Sequence, residues 1–373
     1  MLIFLLFLSL ALYAFAVLFF ATGLLGKASR GNSGSPTVTV VIPAKNEKDH
    51  MERILTEVTH QTYPGEKTEI IIVDDESTDI TPNIGRAFAD RYDHVRLLST
   101  EGLASRLRFK KRPLDLGIRE ATGEIILLTD ADCHVSSTWI ETMVSYFQPD
   151  VGMVIGHSET RPVHSQFERI QALDFLLLMA AARGAARWNQ PFGCTGQNLA
   201  YRKEVYEDVG GFSRFARAVG GDDTLLLQQV KHRSPWRIVF ATDPASVVSS
   251  PPVSSLRQYL SQRLRWASDS LWIPRWDPLL FSLLVIIFLA NFLPLVIGVS
   301  LLWNPAALLP WVKGIGAKFV AEGLFVLFST QVFRKKELRP AFPVWFITQI
   351  PYVVSVGLLL LLGNRPHWGG RQP

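Results

Sequence analysis

Asp130 and Asp132 stand two residues apart just after the apolar run Ile125-Ile126-Leu127-Leu128. In an extended segment that spacing puts both carboxylates on one face. Such a pair repels unless a cation lies between, and a hard divalent ion, Mg2+ or Mn2+, completed by diphosphate oxygens is the usual solution. Asp222 and Asp223, in Gly220-Gly221-Asp222-Asp223-Thr224, precede the apolar stretch 225–230. An Asp there caps or charges the first turn of a helix. The pair Asp74-Asp75 can accept hydrogen bonds from a uracil ring or a ribose, but Asp-Asp-Glu-Ser-Thr-Asp also reads as a turn capping the next helix. An EF-hand is excluded, because a loop starting at Asp75 has Ile80 and Arg86 where the Gly and the bidentate Glu belong. In the fourth cluster, Gln262-Arg263-Leu264-Arg265-Trp266, a helix from about Ser254 places Tyr259, Gln262, Arg263 and Trp266 on neighbouring turns. The Arg fork suits a diphosphate and the Trp face a sugar ring or apolar acceptor. An interfacial helix fits the same residues, with Trp266, Trp272 and Trp276 at headgroup depth and Arg257, Arg263, Arg265 and Arg275 on lipid phosphates. The two readings combine in a membrane-lying helix that closes an active site.

Positioning these groups requires a scaffold. The β-branched runs 37–43, 69–74 and 124–129 read as buried strands, and 51–60 and 81–91 as helices between them. Strands alternating with helices imply a parallel sheet covered on both faces. Ligands bind outside the carboxyl ends of such strands. Pro43-Ala44-Lys45-Asn46-Glu47, Asp74-Asp75 and Asp130-Ala131-Asp132 all fall there, so three strand ends define one cleft.

In this order along residues 38–266, the clusters resemble those of membrane-bound, inverting family 2 glycosyltransferases, a group that includes ceramide glucosyltransferases and the cellulose, chitin and hyaluronan synthases. The resemblance implies an α/β fold, a GT-A (Rossmann-like) nucleotide-sugar-binding domain with flanking transmembrane helices. It assigns nucleotide-sugar binding to Pro43, Ala44, Glu47, Asp75, Lys110, Asp130, Gln262, Arg263 and Arg265. The metal, Mg2+ or Mn2+, goes to Asp130 and Asp132, and the general base to Asp223 with Asp222 beside it. Residues 192–202 resemble the glycine-rich acceptor-side loop, which brings in Gly196, and Trp266 is the expected acceptor platform. Residues 209–212 resemble a sugar-contacting turn. Residues 110–117 resemble the family's Gly-Lys…Ala-Leu-Asn-x-Gly, but Phe109 stands where the family often has Gly and Asp115 where it often has Asn. The implied reaction is direct displacement with inversion, from a nucleotide-diphosphate sugar, UDP-linked by expectation, to a lipid or glycan hydroxyl. Two alternatives stay open: a processive polysaccharide synthase, and a non-catalytic nucleotide-sugar-binding membrane protein.

Of 373 residues, 48% are hydrophobic and 19% charged, which is too apolar for an ordinary soluble domain. Residues 1–26 carry no charge, and about 20 apolar residues cross a bilayer as a helix. Without a basic leading region this is an anchor rather than a signal peptide. Residues 278–312 and 341–363 are further uncharged blocks, and 319–333 is read as a span entered through Lys318 and Glu322, which pair at i,i+4. The expected organisation is an anchor (1–26), a linker (27–36), the catalytic domain (37–253), an interfacial helix (254–276), about three spans (277–363) and a tail (364–373). Lys27, Arg30 and the basic loop 334–339 put the catalytic domain in the cytoplasm of a multi-pass inner- or plasma-membrane protein, with Arg365 and Arg371 on the other side. Cys133 and Cys194 make no disulfide framework. The net charge of +5 is partly local to residues 106–112, read either as a solvated or headgroup-facing patch or as a phosphate holder. No basic stripe with stacking aromatics points to nucleic acid.

Overall fold

The computed structural model describes residues 1–26, 28–31 and 34–363; Lys27, Arg365, Arg371 and the expected tail lie outside the described residues. The chain runs α1 (Leu2–Gly23), β1 (Val38–Ala44), α2 (Met51–Thr59), β2 (Thr68–Asp74), α3 (Thr81–Arg91) and β3 (Val95–Ser99). There follow α4 (Lys111–Glu120), β4 (Ile125–Leu128), α5 (Trp139–Val144), β5 (Val151–Ile155), β6 (Ser158–Thr160), α6 (Gln166–Arg187) and β7 (Leu199–Arg202). The remainder is α7 (Lys203–Asp208), α8 (Thr224–Arg233), β8 (Arg237–Phe240), β9 (Val248–Ser250), α9 (Leu256–Ala267), α10 (Pro278–Ser300), α11 (Leu308–Val332) and α12 (Phe342–Leu361). Two compact units share these elements. One comprises Lys27–Pro162 and Ala186–Pro251, the other Met1–Gly26, Val163–Ala185 and Pro252–Pro373. The segment Val163–Ala185, expected inside a continuous domain over 37–253, belongs to the second unit, and α6 is buried over 171–177 and again over 182–186.

The first unit is built on a seven-stranded sheet in the order β3-β2-β1-β4-β7-β5-β8. β1 pairs in parallel with β2 and β4, and β2 with β3. The parallel strands expected at 37–43, 69–74 and 124–129 are found, within a sheet made mixed by β7, which runs antiparallel to β4 and β5. One face of the sheet packs Val40, Ile42, Ile70 and Ile72 against Ile54 and Leu55 of α2 and Trp139 and Met143 of α5. On the other, α4 comes so close that a Cβ on Gly117 would lie 2.5 Å from Val41 Cγ1.

In the second unit, four helices among the described residues are long and apolar enough to cross a membrane: Leu2–Gly23, Pro278–Ser300, and those within Pro305–Val332 and Lys336–Leu361. The third starts well before the expected 319–333, so Lys318 and Glu322 lie inside it. Glu322 Oε1 accepts from Lys318 (2.7 Å), Tyr13 of α1 (2.6 Å) and Gln349 of α12 (2.7 Å). An intramembrane charge is tolerable when so paired, and here the pairing ties three helices together. α1 also meets α6 backbone to backbone: a Cβ on Gly184 would sit 2.3 Å from the Phe20 carbonyl oxygen. Beside it, Arg183 donates to the carbonyls of Leu24 and Gly26 at the open end of α1 (3.2 and 3.3 Å). Gly184→Leu should therefore force α1 and α6 apart and destabilise by at least about 1–3 kcal/mol, the usual cost of overpacking. Thermal unfolding in detergent should show this loss and none for Gly316→Leu, where an added Cβ meets nothing within 4 Å.

Candidate active site

The site belongs to the sheet unit. Because β1 is central to β2 and β4, residues 43–47, 74–76 and 130–132 emerge together at the carboxyl edge. Ala44 accepts from the Asp75 amide (2.8 Å) and Lys45 Nζ donates to the Asp75 carbonyl (3.2 Å), which links the first two loops; Pro43 pairs with Val73 one step earlier. Glu47 is anchored by its amide to Thr81 Oγ1 (2.8 Å). Its carboxyl is pushed up to about 7 by burial and by the charges of Asp132 and Asp130.

The basic run is neither a solvated face nor a headgroup patch throughout. Arg106 and Arg108 are exposed, but the next cations turn inward at the start of α4. Lys110 Nζ lies 2.5 Å from Asp130 Oδ1 and 3.6 Å from Asp222 Oδ2. Burial alone would lower its pKa; Asp130 and Asp222 hold the ammonium above its ordinary range instead. Asp130 is raised by burial, with Lys110 opposing and Asp132 adding to the shift. Lys111, 1% exposed, donates to the carbonyls of Ala218 and Gly220 and so fixes the loop that carries Asp222 and Asp223. Arg112 pairs with Asp75 (2.7 Å) and Glu76 (2.9 Å), and Thr100 Oγ1 adds a hydrogen bond to Asp75 at 2.8 Å. Neither Lys111 nor Arg112 was singled out by sequence; their partners lie far along the chain, and the signal available was three adjacent cations at a helix N-terminus, where the helix dipole disfavours them.

Turn duty in the Asp74–Asp79 segment falls to other residues than Asp75. Asp74 Oδ2 accepts from the Ser77 amide (3.3 Å) and Asp79 Oδ1 from the Thr81 amide (2.9 Å). Asp74 Oδ1 is buried and has no hydrogen-bond partner among the described residues.

Asp223 caps α8 through the Thr224 amide and accepts from the Gly196 amide at 3.0 Å. Its carboxyl is pushed up to about 6 by burial and by Asp222, against those two amides and Lys110. The capping reading is thus met by the Thr224 amide. Gly196 has no room for a side chain, since a Cβ there would stand 2.9 Å from Asp222 Oδ2 and 3.2 Å from Lys110 Nζ. Glu47, Lys110, Asp130, Asp132, Gly196, Asp222 and Asp223 therefore form one constellation. Among the described residues no group of three or more His, Cys, Asp or Glu side chains is arranged to enclose a metal. What the cluster does present is crowded carboxylates, raised at Glu47 and Asp130, gathered about a single ammonium; this suits a cation that brings further ligands of its own.

The remaining expected residues belong to the second unit. Gln262, Arg265 and Trp266 are partly exposed on α9. The expectation that Arg263 reaches a diphosphate is corrected: it is 4% exposed and its Nη2 pairs with Asp174 of α6 at 2.7 Å. Asp174 went unnoticed in the sequence, although an Asp flanked by Leu173 and Phe175 on a helix was a usable signal.

A family model described as Glycosyl transferase family 2 matches residues 39–210, and one described as Glycosyl transferase family group 2 matches residues 125–359. The Bacillus subtilis (strain 168) protein named "Probable glycosyltransferase YdaM" is 27% identical over 244 residues, 64% of this chain and 56% of that protein. Beta-monoglucosyldiacylglycerol synthase of Nostoc sp. (strain PCC 7120) is 26% identical over 249 residues, 66% of this chain and 52% of that protein. The chain spans about half the length of these curated relatives. Mannosyltransferase PcManGT from Pyrobaculum calidifontis, solved in complex with GDP-Man and Mn2+, superposes with a TM-score of 0.64 at 22% identity, over 98% of this chain and 100% of that one. The sheet unit has the GT-A fold.

Lys110→Met removes the cation shared by Asp130 and Asp222 and should destabilise the sheet unit by about 2 kcal/mol at pH 8. Burial raises the Asp130 carboxyl, so the loss should shrink once that group protonates in acid, which denaturant unfolding at pH 8 and at progressively lower pH will show.

Proposed function

This chain belongs to the family 2 glycosyltransferases, whose family-group model covers more than half of it, and on that premise we propose that it moves a sugar from a nucleoside-diphosphate sugar to a hydroxyl of a membrane lipid. The observation that carries the reading is Asp223. It is a carboxylate whose pKa sits near 6, aimed by the Gly196 amide, in the same cluster as the paired carboxylates of strand β4's end. At neutral pH it is ionised yet basic enough to accept the proton of an attacking hydroxyl.

Asp130 and Asp132 would hold Mg2+ or Mn2+, with Glu47 beside them. A bound divalent ion supplies neutralisation of the leaving diphosphate. Lys110 orients Asp130 and adds a fixed positive charge next to it, and Lys111 keeps the base-bearing loop in register. Asp75, held by Arg112 and Thr100, is presented to the nucleoside, UDP- or GDP-linked. Attack opposite the leaving group inverts the anomeric centre. Trp266 and Gln262 on α9 would meet the acceptor and Arg265 the diphosphate.

A lipid acceptor is supported by the name of the Nostoc relative, a beta-monoglucosyldiacylglycerol synthase, and by the plain aliphatic character of the apolar helices. Their buried charges, Lys318 and Glu322, are spent on each other, which leaves little to line a sugar channel. Arg30 and the basic loop 334–339 favour a cytoplasmic catalytic unit in a multi-pass protein.

With UDP- and GDP-sugars, Mn2+ and a lipid extract, the radiolabelled product should partition into organic solvent and carry one or very few sugars. An aqueous ladder of growing length formed without lipid would replace this reading with a processive synthase. The rate should fall tenfold per pH unit below about 6 as Asp223 protonates, and Asp223→Asn should cost about 10²–10⁴-fold in kcat, with nucleotide affinity in calorimetry unchanged.

A further inference from the structure

Asp174 is the acidic centre of the helical unit. Its Oδ2 accepts from Arg263 Nη2 (2.7 Å) and Tyr259 Oη (3.0 Å), both on α9, and its Oδ1 accepts from Trp345 Nε1 of α12 (3.0 Å). Three helices thus converge on one carboxylate. A turn earlier on α6, Gln171 exchanges two hydrogen bonds with the backbone of Val253 (3.0 and 3.1 Å), so α6 grips the chain leading into α9 as well.

Arg263 is consumed by this arrangement. Its Nε and Nη1 are buried without hydrogen-bond partners among the described residues, and its guanidinium lies 4.7 Å from the ring centre of Tyr259 and 4.3 Å from that of Trp266. Trp266 is backed in turn by Phe175, the neighbour of Asp174, at 5.8 Å. The ring is therefore held between a cation that Asp174 fixes and a phenyl group that the same turn of α6 supplies. A desolvated cation over an indole face is a strong orienting contact.

We propose that Asp174 and Arg263 are positioning residues, which together set the attitude of the Trp266 ring and take no part in holding the nucleotide. The proposal rests on the reading of Trp266 as the acceptor platform. Breaking either side of the pair lets the indole turn, and acceptor use suffers while the donor site is untouched.

The test uses the full chain in detergent, labelled with 5-fluorotryptophan, with the Trp266 fluorine signal assigned by Trp266→Phe. Asp174→Asn and Arg263→Gln are each expected to shift and broaden that signal, while calorimetric affinity for UDP and for GDP with Mn2+ stays within about twofold of the wild type. Should either buried single variant misfold, Asp174→Leu/Arg263→Met removes both charges at similar volume, a replacement that buried pairs often tolerate. It should bind nucleotide normally and still show a displaced Trp266 signal. The proposal falls if Arg263→Gln, folded, weakens nucleotide binding tenfold while Asp174→Asn does not, or if the Trp266 signal is unmoved in the folded variants. A wild type that binds neither UDP nor GDP would instead sink the donor reading, and the fluorine signal would still decide the role of the pair.

Discussion

The ammonium of Lys110, set between Asp130 and Asp222, is the contact on which the catalytic unit depends. Left alone, the carboxylates of Glu47, Asp130, Asp132, Asp222 and Asp223 could not share so small a volume: burial raises the proton affinity of Glu47, Asp130 and Asp223, and the charges of the neighbouring acids add to it. A helix N-terminus is a poor place for cations. Three in succession begin α4, and each is answered from a distant loop: Lys110 by carboxylates, Lys111 by the carbonyls of Ala218 and Gly220, Arg112 by Asp75 and Glu76. The unfavourable dipole term is thereby converted into a device that brings four loops to one place. It also keeps Asp130 and Asp222 at a defined separation before any ligand arrives.

The helical unit solves a similar problem with fewer charges. Glu322 gathers Lys318, Tyr13 and Gln349 on one oxygen, and Asp174 gathers Arg263, Tyr259 and Trp345 on two. In an apolar surrounding an unpaired carboxylate is costly, so each acid fixes the helices that supply its donors. The second helix, α6, takes part through Asp174 and through the glycine contact of Gly184 with Phe20. Apolar contact is non-directional and would by itself let these helices slide. The polar contacts select one register.

Much of this was legible in the sequence, for reasons that differ by element. The strands ending at Ala44, Asp74 and Leu128 announced themselves because buried parallel strands must be β-branched runs, and the motifs followed because ligand groups collect at their carboxyl ends. Strand β7 was not legible: Leu199–Arg202 is too short to carry a pattern, and its antiparallel direction is decided by partners on both sides. The start of α11 was hidden by Lys313, Lys318 and Glu322, whose charges look prohibitive until Tyr13 and Gln349 are seen to share the carboxylate. Arg263 misled for the opposite reason. Its motif is a surface signature, and nothing local reveals that an acid some ninety residues earlier claims the guanidinium. Local pattern located the groups, then, and long-range charge matching determined what each one faces.

The departure at Phe109 shows how local strain and that matching cooperate. Phe109 has a φ of 56°, and Asn46 and Glu76 have φ values of 57° and 60°, a left-handed conformation that is costly for a bulky side chain and natural for glycine. That explains why a glycine suits the position before Lys110. Each of the three residues adjoins a group the site needs: Glu47 follows Asn46, Asp75 precedes Glu76, and Lys110 follows Phe109. A left-handed residue turns the chain sharply, so that the neighbouring side chain leaves the strand or helix axis and points across the cleft edge. Such a turn persists only where surrounding contacts over-determine it. Here they do, through Asn46 Oδ1 to the Thr78 amide (2.8 Å), Glu76 to Arg112, and Phe109 buried at 6% exposure. The strain at Glu76 is therefore held by an ion pair that the loops themselves bring together, that at Asn46 by a hydrogen bond from the neighbouring loop, and that at Phe109 by burial.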